Sequence, residues 1–407
     1  MGDIKHMILT SEQNAAVQMV QACPVSILTG GPGTGKTTTC REILNWADST
    51  GIRVSCCAPS GKAAKRMEES TGRTATTIHR LLEAEAQIGG GFGFTRNASN
   101  PIDCGLLVID ETSMVDNSLM AALLRAVPKD SKVLFVGDDS QLPSVQEGAI
   151  LRDIVQSATI PHTNLTVIHR NSGDIVRACH GIKRGEMYEP SATLDVDAGL
   201  NLRHVECSNP ARIKDIVTEL VCDRMPARGF DPLNDIQVLC ATNDKTDISC
   251  AALNTALRAR LNPMFDADAA TKQAFHAGDK IINTKNETTK DSFIINGDMG
   301  FVMEADEKRM ICAFSDPERS IPLHQKMNNL LLAYAITVHR FQGSEAPVVI
   351  IPVHRSASFL LTRAWIYTAI SRAKLICITV GERAAVHMAI KKDDSNNRIT
   401  RLKELLQ

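Results

Sequence analysis

Ser26-Ile27-Leu28-Thr29-Gly30-Gly31-Pro32-Gly33-Thr34-Gly35-Lys36-Thr37-Thr38-Thr39 is the stretch on which the reading of this chain turns. It contains Gly30-x-x-x-x-Gly35-Lys36-Thr37, the spacing of a phosphate-cradling loop. The apolar run from Val25 to Thr29 predicts a short strand before the loop. After it, Cys40, Ile43, Leu44 and Ala47 fall at i, i+3, i+4 and i+7, one face of a helix. Between a strand and a helix, such glycines let consecutive backbone N–H groups turn onto an anion, and the helix N-terminus adds partial positive charge. Gly31, Gly33, Thr34, Gly35, Lys36, Thr37 and Thr38 are therefore the expected cradle of a nucleoside triphosphate. Lys36 is expected to reach the β- and γ-phosphates, and the Thr37 hydroxyl to bind Mg²⁺.

The rest of the chain sets bounds. With 407 residues it is too long for one ordinary core. Its 43% hydrophobic content is that of a globular protein. No apolar run approaches the length of a membrane span, and the first residues lack the apolar core of a signal peptide. The twelve cysteines include no C-x-x-C pair, and several, such as Cys240 and Cys377, lie in apolar runs. That usage argues against structural zinc and points to a reducing cytoplasm. A net charge of −1 gives no global pull toward nucleic acid, although a local basic groove needs none.

Along the chain, strand-like and helical stretches alternate. Thr10 or Ser11 is a candidate N-cap for a first helix. Arg53 to Ala58 reads as a strand, followed by Pro59-Ser60-Gly61-Lys62 and a helix with Ala63, Ala64 and Met67. Residues 84–104 break the rhythm with Gly89-Gly90-Gly91-Phe92-Gly93-Phe94 and a turn-rich stretch. Leu106 to Ile109 is a buried-strand run ending in Asp110-Glu111, and Val133 to Val136 is another, ending in Gly137 to Gln141. Alternation of this kind predicts a parallel sheet covered on both faces, with ligands beyond the carboxyl ends of its strands. It restarts in the second half without a second phosphate loop. Residues 262–328 interrupt that half with a polar, hairpin-rich segment.

Hydrolysis of a γ-phosphate needs a metal holder, a group to orient or deprotonate water, and positive charge. Asp110 is the expected second Mg²⁺ partner and Glu111 the water-activating group; the competing reading is an acidic N-cap. Gln141 is expected to sense the γ-phosphate or the attacking water, with a surface turn residue as the alternative. Positive charge could come from Arg170 or Arg372 in the second half, each of which taken alone also reads as a surface or salt-bridge arginine. An α/β half without its own phosphate loop often completes its neighbour's site.

Taken together, these stretches resemble superfamily 1 helicases of the RecD and phage Dda branch. Leu9-Thr10-x-x-Gln13 resembles the adenine-reading Q motif, and Gly30 to Thr38 motif I. Ala58 to Arg66 resembles motif Ia, with Thr77-Ile78-His79-Arg80 like the DNA-contacting motif after it. Asp110 to Met114 resembles motif II, Gly137 to Pro143 motif III, and Arg170 stands in motif IV. Thr337 to Glu345, which includes Gly343, resembles motif V, and Tyr367 to Lys374 motif VI. The resemblance implies ATP and Mg²⁺ as cofactors, Gln13 and Gly343 as further nucleotide contacts, and 5′→3′ movement on single strands. It implies DNA contacts at Pro59, Ser60, Thr77, His79 and His339.

The implied fold is α/β, two tandem RecA-like motor domains with small insertions. Motor 1A would span 1–160, with 84–104 as a 1B hairpin. Motor 2A would comprise 161–261 and 329–407, and 262–328 would be an SH3-like 2B insertion. Thr112 in motif II and Phe341 in motif V depart from the usual residues. The chain begins almost at the Q motif, which weakens the expectation of a RecBCD-type partner. Expected partners are single-stranded DNA, single-strand/duplex junctions and a single-strand-binding or replication or repair protein. A monomer with no membrane association is expected.

The surplus aromatics of the 84–104 break suggest a strand-separating pin at residues 90–100. Phe92 and Phe94, at i and i+2, share one face of a strand there. They would stack on the last base pair, or instead pack on the hairpin's own base. Two other classes of function stand beside the motor: a small-molecule phosphotransferase, and an ATP-binding accessory subunit or translocase without unwinding activity. The second α/β half opposes the former, and the presence of Lys36, Asp110, Glu111 and Arg372 the latter.

Overall fold

The computed structural model describes residues 9–86, 92–167, 173–265, 273–285, 287–288, 293–294, 296–315, 318–393, 400 and 402–406. The chain divides into two compact units, residues 1–172 with 396–407, and residues 173–395.

In the first unit, strands β1 (Val25–Gly30), β2 (Val54–Ala58), β3 (Ala75–Thr77), β6 (Leu106–Ile109), β7 (Lys132–Gly137) and β8 (His162–Leu165) form one sheet. Its order is β3-β2-β6-β7-β1-β8, and every pair is parallel. Helices α1 (Ser11–Ala22), α2 (Lys36–Ser49), α3 (Gly61–Thr71), α4 (Ile78–Leu81), α5 (Asn117–Ala126) and α6 (Ile150–Ser157) connect and cover it.

The two-residue period of a strand explains why β6 is apolar throughout. Leu106 and Val108 face a cluster with Ile43, Leu44 and Met67 from α2 and α3. Leu107 and Ile109 face the opposite cluster, with Leu119, Leu123 and Ile154 from α5 and α6. Both faces are dry, so a polar residue at any of the four positions would be buried without a partner. The first helix starts where expected. Thr10 and Gln13 form a reciprocal capping box, with Gln13 N donating to Thr10 Oγ1 at 3.2 Å and Thr10 N to Gln13 Oε1 at 2.9 Å.

Between α4 and β6, β4 (Ala84–Ala86) pairs antiparallel with β5 (Phe92–Phe94) as a short hairpin. Residues 87–91, which include the start of the expected pin, lie outside the described residues.

The second unit contains α7 (Asp174–Lys183), β9 (Leu202–Glu206), α8 (Pro210–Glu219), β10 (Ile236–Cys240) and α9 (Cys250–Leu261). An inserted stretch follows with β11 (Lys280–Asn283), β12 (Glu287–Thr288), β13 (Phe293–Ile294), β14 (Met299–Ala305), β15 (Arg309–Ser315), β16 (Glu318–His324) and β17 (Leu330–Leu332). The unit resumes with β18 (Ala335–Thr337), β19 (Ala346–Val353), α10 (Arg363–Ser371), β20 (Ala373–Gly381) and α11 (Arg383–Lys391). Its main sheet, β18-β10-β19-β20-β9, is again all parallel. Fold class thus agrees with the sequence reading: two α/β units, each built on a parallel sheet.

The insertion makes its own antiparallel sheet, β16-β15-β14-β11-β17, around Ile281, Val302, Cys312, Phe314 and Ile321. A buried polar knot ties its base to the main sheet's helix. Asp279, fully buried, accepts from Arg258 Nε at 2.9 Å, Asn262 Nδ2 at 2.8 Å, Tyr334 OH at 3.2 Å and His276 N at 2.8 Å. With its lone pairs so occupied the carboxylate is compensated; removing one member of such a buried pair costs about 3–5 kcal/mol.

The last helix, α12 (Leu402–Leu406), belongs to the first unit. Leu402 and Leu406 pack against the cluster around α5 and α6, and Thr400 donates to the buried Asp153. The sequence reading begins the second motor at 161 and carries it to 407, whereas β8 completes the first sheet and the last helix docks on the first unit. The amphipathic pattern predicts a helix but cannot say which surface its apolar face meets, and that surface lies some 250 residues earlier in the chain.

Candidate functional site

The phosphate loop runs from the end of β1 to the start of α2. Gly33 and Gly35 take φ of 74° and 85°, the left-handed region, which explains glycine at both positions. Gly30 is needed for a different reason: a Cβ there would lie 2.5 Å from Thr34 Oγ1 and 3.1 Å from Leu165. Thr34 Oγ1 donates to Gly31 O at 2.8 Å and closes the loop. Lys36 folds back over it, with Nζ donating to Gly30 O at 2.6 Å and Gly31 O at 3.1 Å. Thr37 is exposed and Thr38 half-buried at the start of α2.

Strand register brings the other candidates to the same edge. Gly137 at the end of β7 pairs with Thr29 of β1, and Ile109 of β6 pairs with Phe135 of β7. The chain therefore emerges from β6 as Asp110-Glu111, and from β7 as the Gln141 loop, beside the phosphate loop. Burial, then the negative charge of Glu111, pushes the Asp110 carboxyl up; Arg66 and Lys36 pull it down. Two adjacent carboxylates thus meet at this edge, with Arg66 and Lys36 as the positive groups acting on them. Glu111 is itself unusual. It is buried, adopts left-handed backbone at φ 49°, and its Oε1 accepts from Arg66 at 2.6 Å. Strained backbone of this kind clusters at functional sites.

Gln141 Oε1, Ser113 Oγ and Gln13 Nε2 are buried without a hydrogen-bond partner among the described residues. The Gln13 side chain, held by the capping box through its oxygen, is left with an unused donor.

The candidates for nucleic-acid contact occupy the neighbouring stretch of the same edge. Ala58 at the end of β2 pairs with Thr77 at the end of β3, so Pro59-Ser60 and Thr77 emerge side by side. Both hydroxyls cap helices: Ser60 Oγ accepts from Ala63 N at 3.3 Å, and Thr77 Oγ1 from Arg80 N at 3.1 Å. His79, half-buried, lies with its ring centroid 6.1 Å from that of Phe94. Phe94 also packs on the cluster around α5, the arrangement in which an aromatic anchors the hairpin's base.

In the second unit the candidates separate to opposite ends of the parallel sheet. His339 follows β18, whose Thr337 pairs with Cys240 at the carboxyl end of β10. Gly343, at φ 73°, leads into β19, and Arg372 directly precedes β20, with Ala346 paired to Ala373. Arg372 is buried at 2% exposure, yet its hydrogen bonds are long. Its guanidinium donates to Ser344 O and Ser371 Oγ at 3.4 Å each, and Nε has no partner among the described residues. Arg170 lies outside the described residues.

Arg66 is the residue the sequence reading named only as part of a motif, without a role. The available signal was its position four residues after Lys62, on the same helix face.

Residues 8–199 match the AAA domain family, and residues 332–380 the UvrD-like helicase C-terminal domain. The chain is 35% identical over 383 residues to the ATP-dependent RecD2 DNA helicase of Deinococcus radiodurans, covering 94% of this chain and 50% of that protein. It therefore spans half the length of that relative. It is 30% identical over 414 residues to the RecBCD enzyme subunit RecD of Mycolicibacterium smegmatis, covering 94% of this chain and 72% of that one. Among solved structures, Pif1 helicase from Bacteroides in complex with ADP-AlF3 and ssDNA aligns with a TM-score of 0.57 at 18% identity, over 96% of each chain. Pif1 helicase from Candida albicans aligns at 0.53 and 18% identity, over 98% of this chain and 99% of that one. At such identities the likeness concerns the fold alone. Among the described residues no helix is long and apolar enough to cross a membrane.

Burial holds the His79 imidazole below its ordinary value of 6.5, against the opposing pull of Asp116. The fold therefore favours neutral His79. The stability this contributes is present above the unfolded value and is lost as pH falls through the folded one. An NMR titration of the His79 ring should give a midpoint below 6.5; a midpoint at or above that value would contradict the burial argument.

Proposed function

The chain belongs to the RecD-like branch of superfamily 1 helicases, and we propose from that premise that it is an ATP-driven DNA helicase. The proposed motor moves 5′→3′ on single strands and unwinds duplex. One observation carries the reading most: five adjacent strands of one sheet deliver their turns to a single edge. β1, β7 and β6 bring Lys36, Gln141 and Asp110-Glu111, while β2 and β3 bring Ser60 and Thr77.

In this reading Gln13 contacts the adenine through its spare amide donor. Gly31, Gly33, Thr34, Gly35 and Thr38 cradle the phosphates, with Lys36 as their point charge and Gly343 as a further contact. Asp110 and Thr37 would hold Mg²⁺, which when bound neutralises charge on the phosphate oxygens. The carboxylate of Asp110, leaving β6 beside the phosphate loop, suits it. Glu111 accepts a proton from the attacking water, Gln141 orients that water, and Arg170 and Arg372 contribute positive charge. For Arg372 the support is a buried guanidinium whose hydrogen bonding is incomplete. Pro59, Ser60, Thr77, His79 and His339 contact the strand, and the hairpin carrying Phe92 and Phe94 acts where strands part.

The first unit serves as motor 1A with the 84–104 segment as 1B, and the second as 2A with 262–328 as 2B. The proposed setting is the cytoplasm, acting on single strands and junctions as a monomer, together with a single-strand-binding or replication or repair protein.

Two experiments test the reading. Lys36→Ala should lower the maximal ATPase rate by about 10²-fold or more through loss of charge stabilisation. Glu111→Gln should bind ATP normally yet turn over about 10²–10⁴-fold more slowly, the usual contribution of a general base. Near wild-type turnover in Glu111→Gln would remove Glu111 from the chemistry.

Polarity is tested with tailed duplexes. The protein should unwind those with a 5′ single-stranded tail and fail on those with a 3′ tail; preference for the 3′ tail would reverse the proposed direction.

A further inference from the structure

We propose that Arg66 is a positioning residue that restrains Glu111 until a nucleic-acid strand engages the start of α3, so that strand binding switches on hydrolysis. The inference rests on the motor reading and adds to it the device by which one ligand governs turnover of the other.

Three features carry it. Arg66 donates to Glu111 Oε1 at 2.6 Å, and the carboxylate is almost wholly buried while the guanidinium side chain is 33% exposed. The acceptor is thus locked from the solvent side by a group that solvent, or a ligand, can reach. Second, Glu111 reaches Arg66 from left-handed backbone at φ 49°, a conformation a non-glycine residue keeps only when its surroundings hold it there. Third, the helix that carries Arg66 begins at the candidate strand contact. Ser60 is the N-cap of α3, and Arg66 follows Lys62 by four residues on the same helix face.

The spatial link is short and stiff. β2 and β6 are paired neighbours, Cys57 with Ile109, and Asp110 N donates to Cys57 O at 2.9 Å. The turn into α3 and the turn carrying Glu111 therefore leave the same end of adjacent strands. From Ser60 to Arg66 the helix axis advances about 9 Å, at 1.5 Å per residue. Met67, Ala63 and Ala64 pack α3 onto the core, so it moves as a body rather than by bending. A strand phosphate at Ser60-Gly61-Lys62 draws on the same positive face that holds Glu111. A shift of about an ångström then suffices to open a 2.6 Å contact. Once released, the carboxylate has a free lone pair to accept from water; while paired, that lone pair is spent on the guanidinium.

The test measures ATPase turnover of the full chain without DNA and with saturating single-stranded thymidine oligonucleotide, together with KM for ATP. Oligonucleotide affinity is followed separately by fluorescence anisotropy without nucleotide. For Arg66→Ala and Arg66→Gln, DNA-independent kcat should rise by about fivefold or more, the lower range of allosteric coupling. The DNA-saturated rate should stay within about twofold of wild type, with KM unchanged, so that the stimulation ratio falls. Oligonucleotide affinity should not weaken, because the strand no longer works against the ion pair. Arg66→Lys, which keeps the charge, should restore a low DNA-independent rate. An unchanged DNA-independent rate in both neutral variants, or a parallel fall with and without DNA, would overturn the restraint. Weakened oligonucleotide affinity with an unchanged DNA-independent rate would make Arg66 a strand contact instead. A wild-type protein whose ATPase ignores the oligonucleotide would count against the motor reading itself, an outcome distinct from the others.

Discussion

Parallel register is the constraint on which the first unit depends. When every strand of a sheet runs the same way, every strand-to-helix turn leaves by one edge, and residues distant in sequence become neighbours there. The pairings of Thr29 with Gly137, Phe135 with Ile109, Ile109 with Cys57 and Ala58 with Thr77 fix that edge. A register slip of one residue would exchange the faces of Leu106 and Val108 with those of Leu107 and Ile109, and would move Asp110-Glu111 away from the phosphate loop. The apolar filling of both faces is therefore a precondition of the site as well as of stability. Each core Leu or Ile contributes about 1.5–3 kcal/mol by burial and also pins the register.

Within that edge the sheet order separates two kinds of chemistry. The inner strands β6, β7 and β1 present carboxylates, an amide and the phosphate loop. The flanking strands β2 and β3 present helix-capping hydroxyls beside Lys62 and His79. α3 is the element shared between them, since its first turn lies with the second group and Arg66 with the first. In the second unit the parallel sheet instead keeps its two candidate groups at opposite ends, His339 beyond β18 and Arg372 ahead of β20.

Features set by local chemistry were legible in the sequence. The phosphate loop declared itself because glycine spacing, a preceding apolar run and a following helical period all agree. The β6 run was readable because a strand dry on both faces leaves no polar position, and the start of the first helix because Thr10 and Ser11 are both N-cap residue types. What escaped was long-range. The Arg66–Glu111 ion pair joins residues 45 apart, and the pattern at either end fits a solvated face or a helix cap equally well. The Asp279 knot gathers Arg258, Asn262, His276 and Tyr334, which no local pattern links. The docking of Leu402 and Leu406 on the first unit depends on a surface that exists only after folding.

The central claim is that one edge of the first sheet forms a nucleotide site from Lys36, Thr37 and the Asp110-Glu111 pair. A crystal structure of the protein with a non-hydrolysable ATP analogue and Mg²⁺ tests it most directly. The account predicts that Lys36 Nζ leaves the carbonyls of Gly30 and Gly31 for the phosphates, with the metal between Thr37 and Asp110. An analogue bound elsewhere, or one bound at this loop while Lys36 stays on its own backbone, would contradict it.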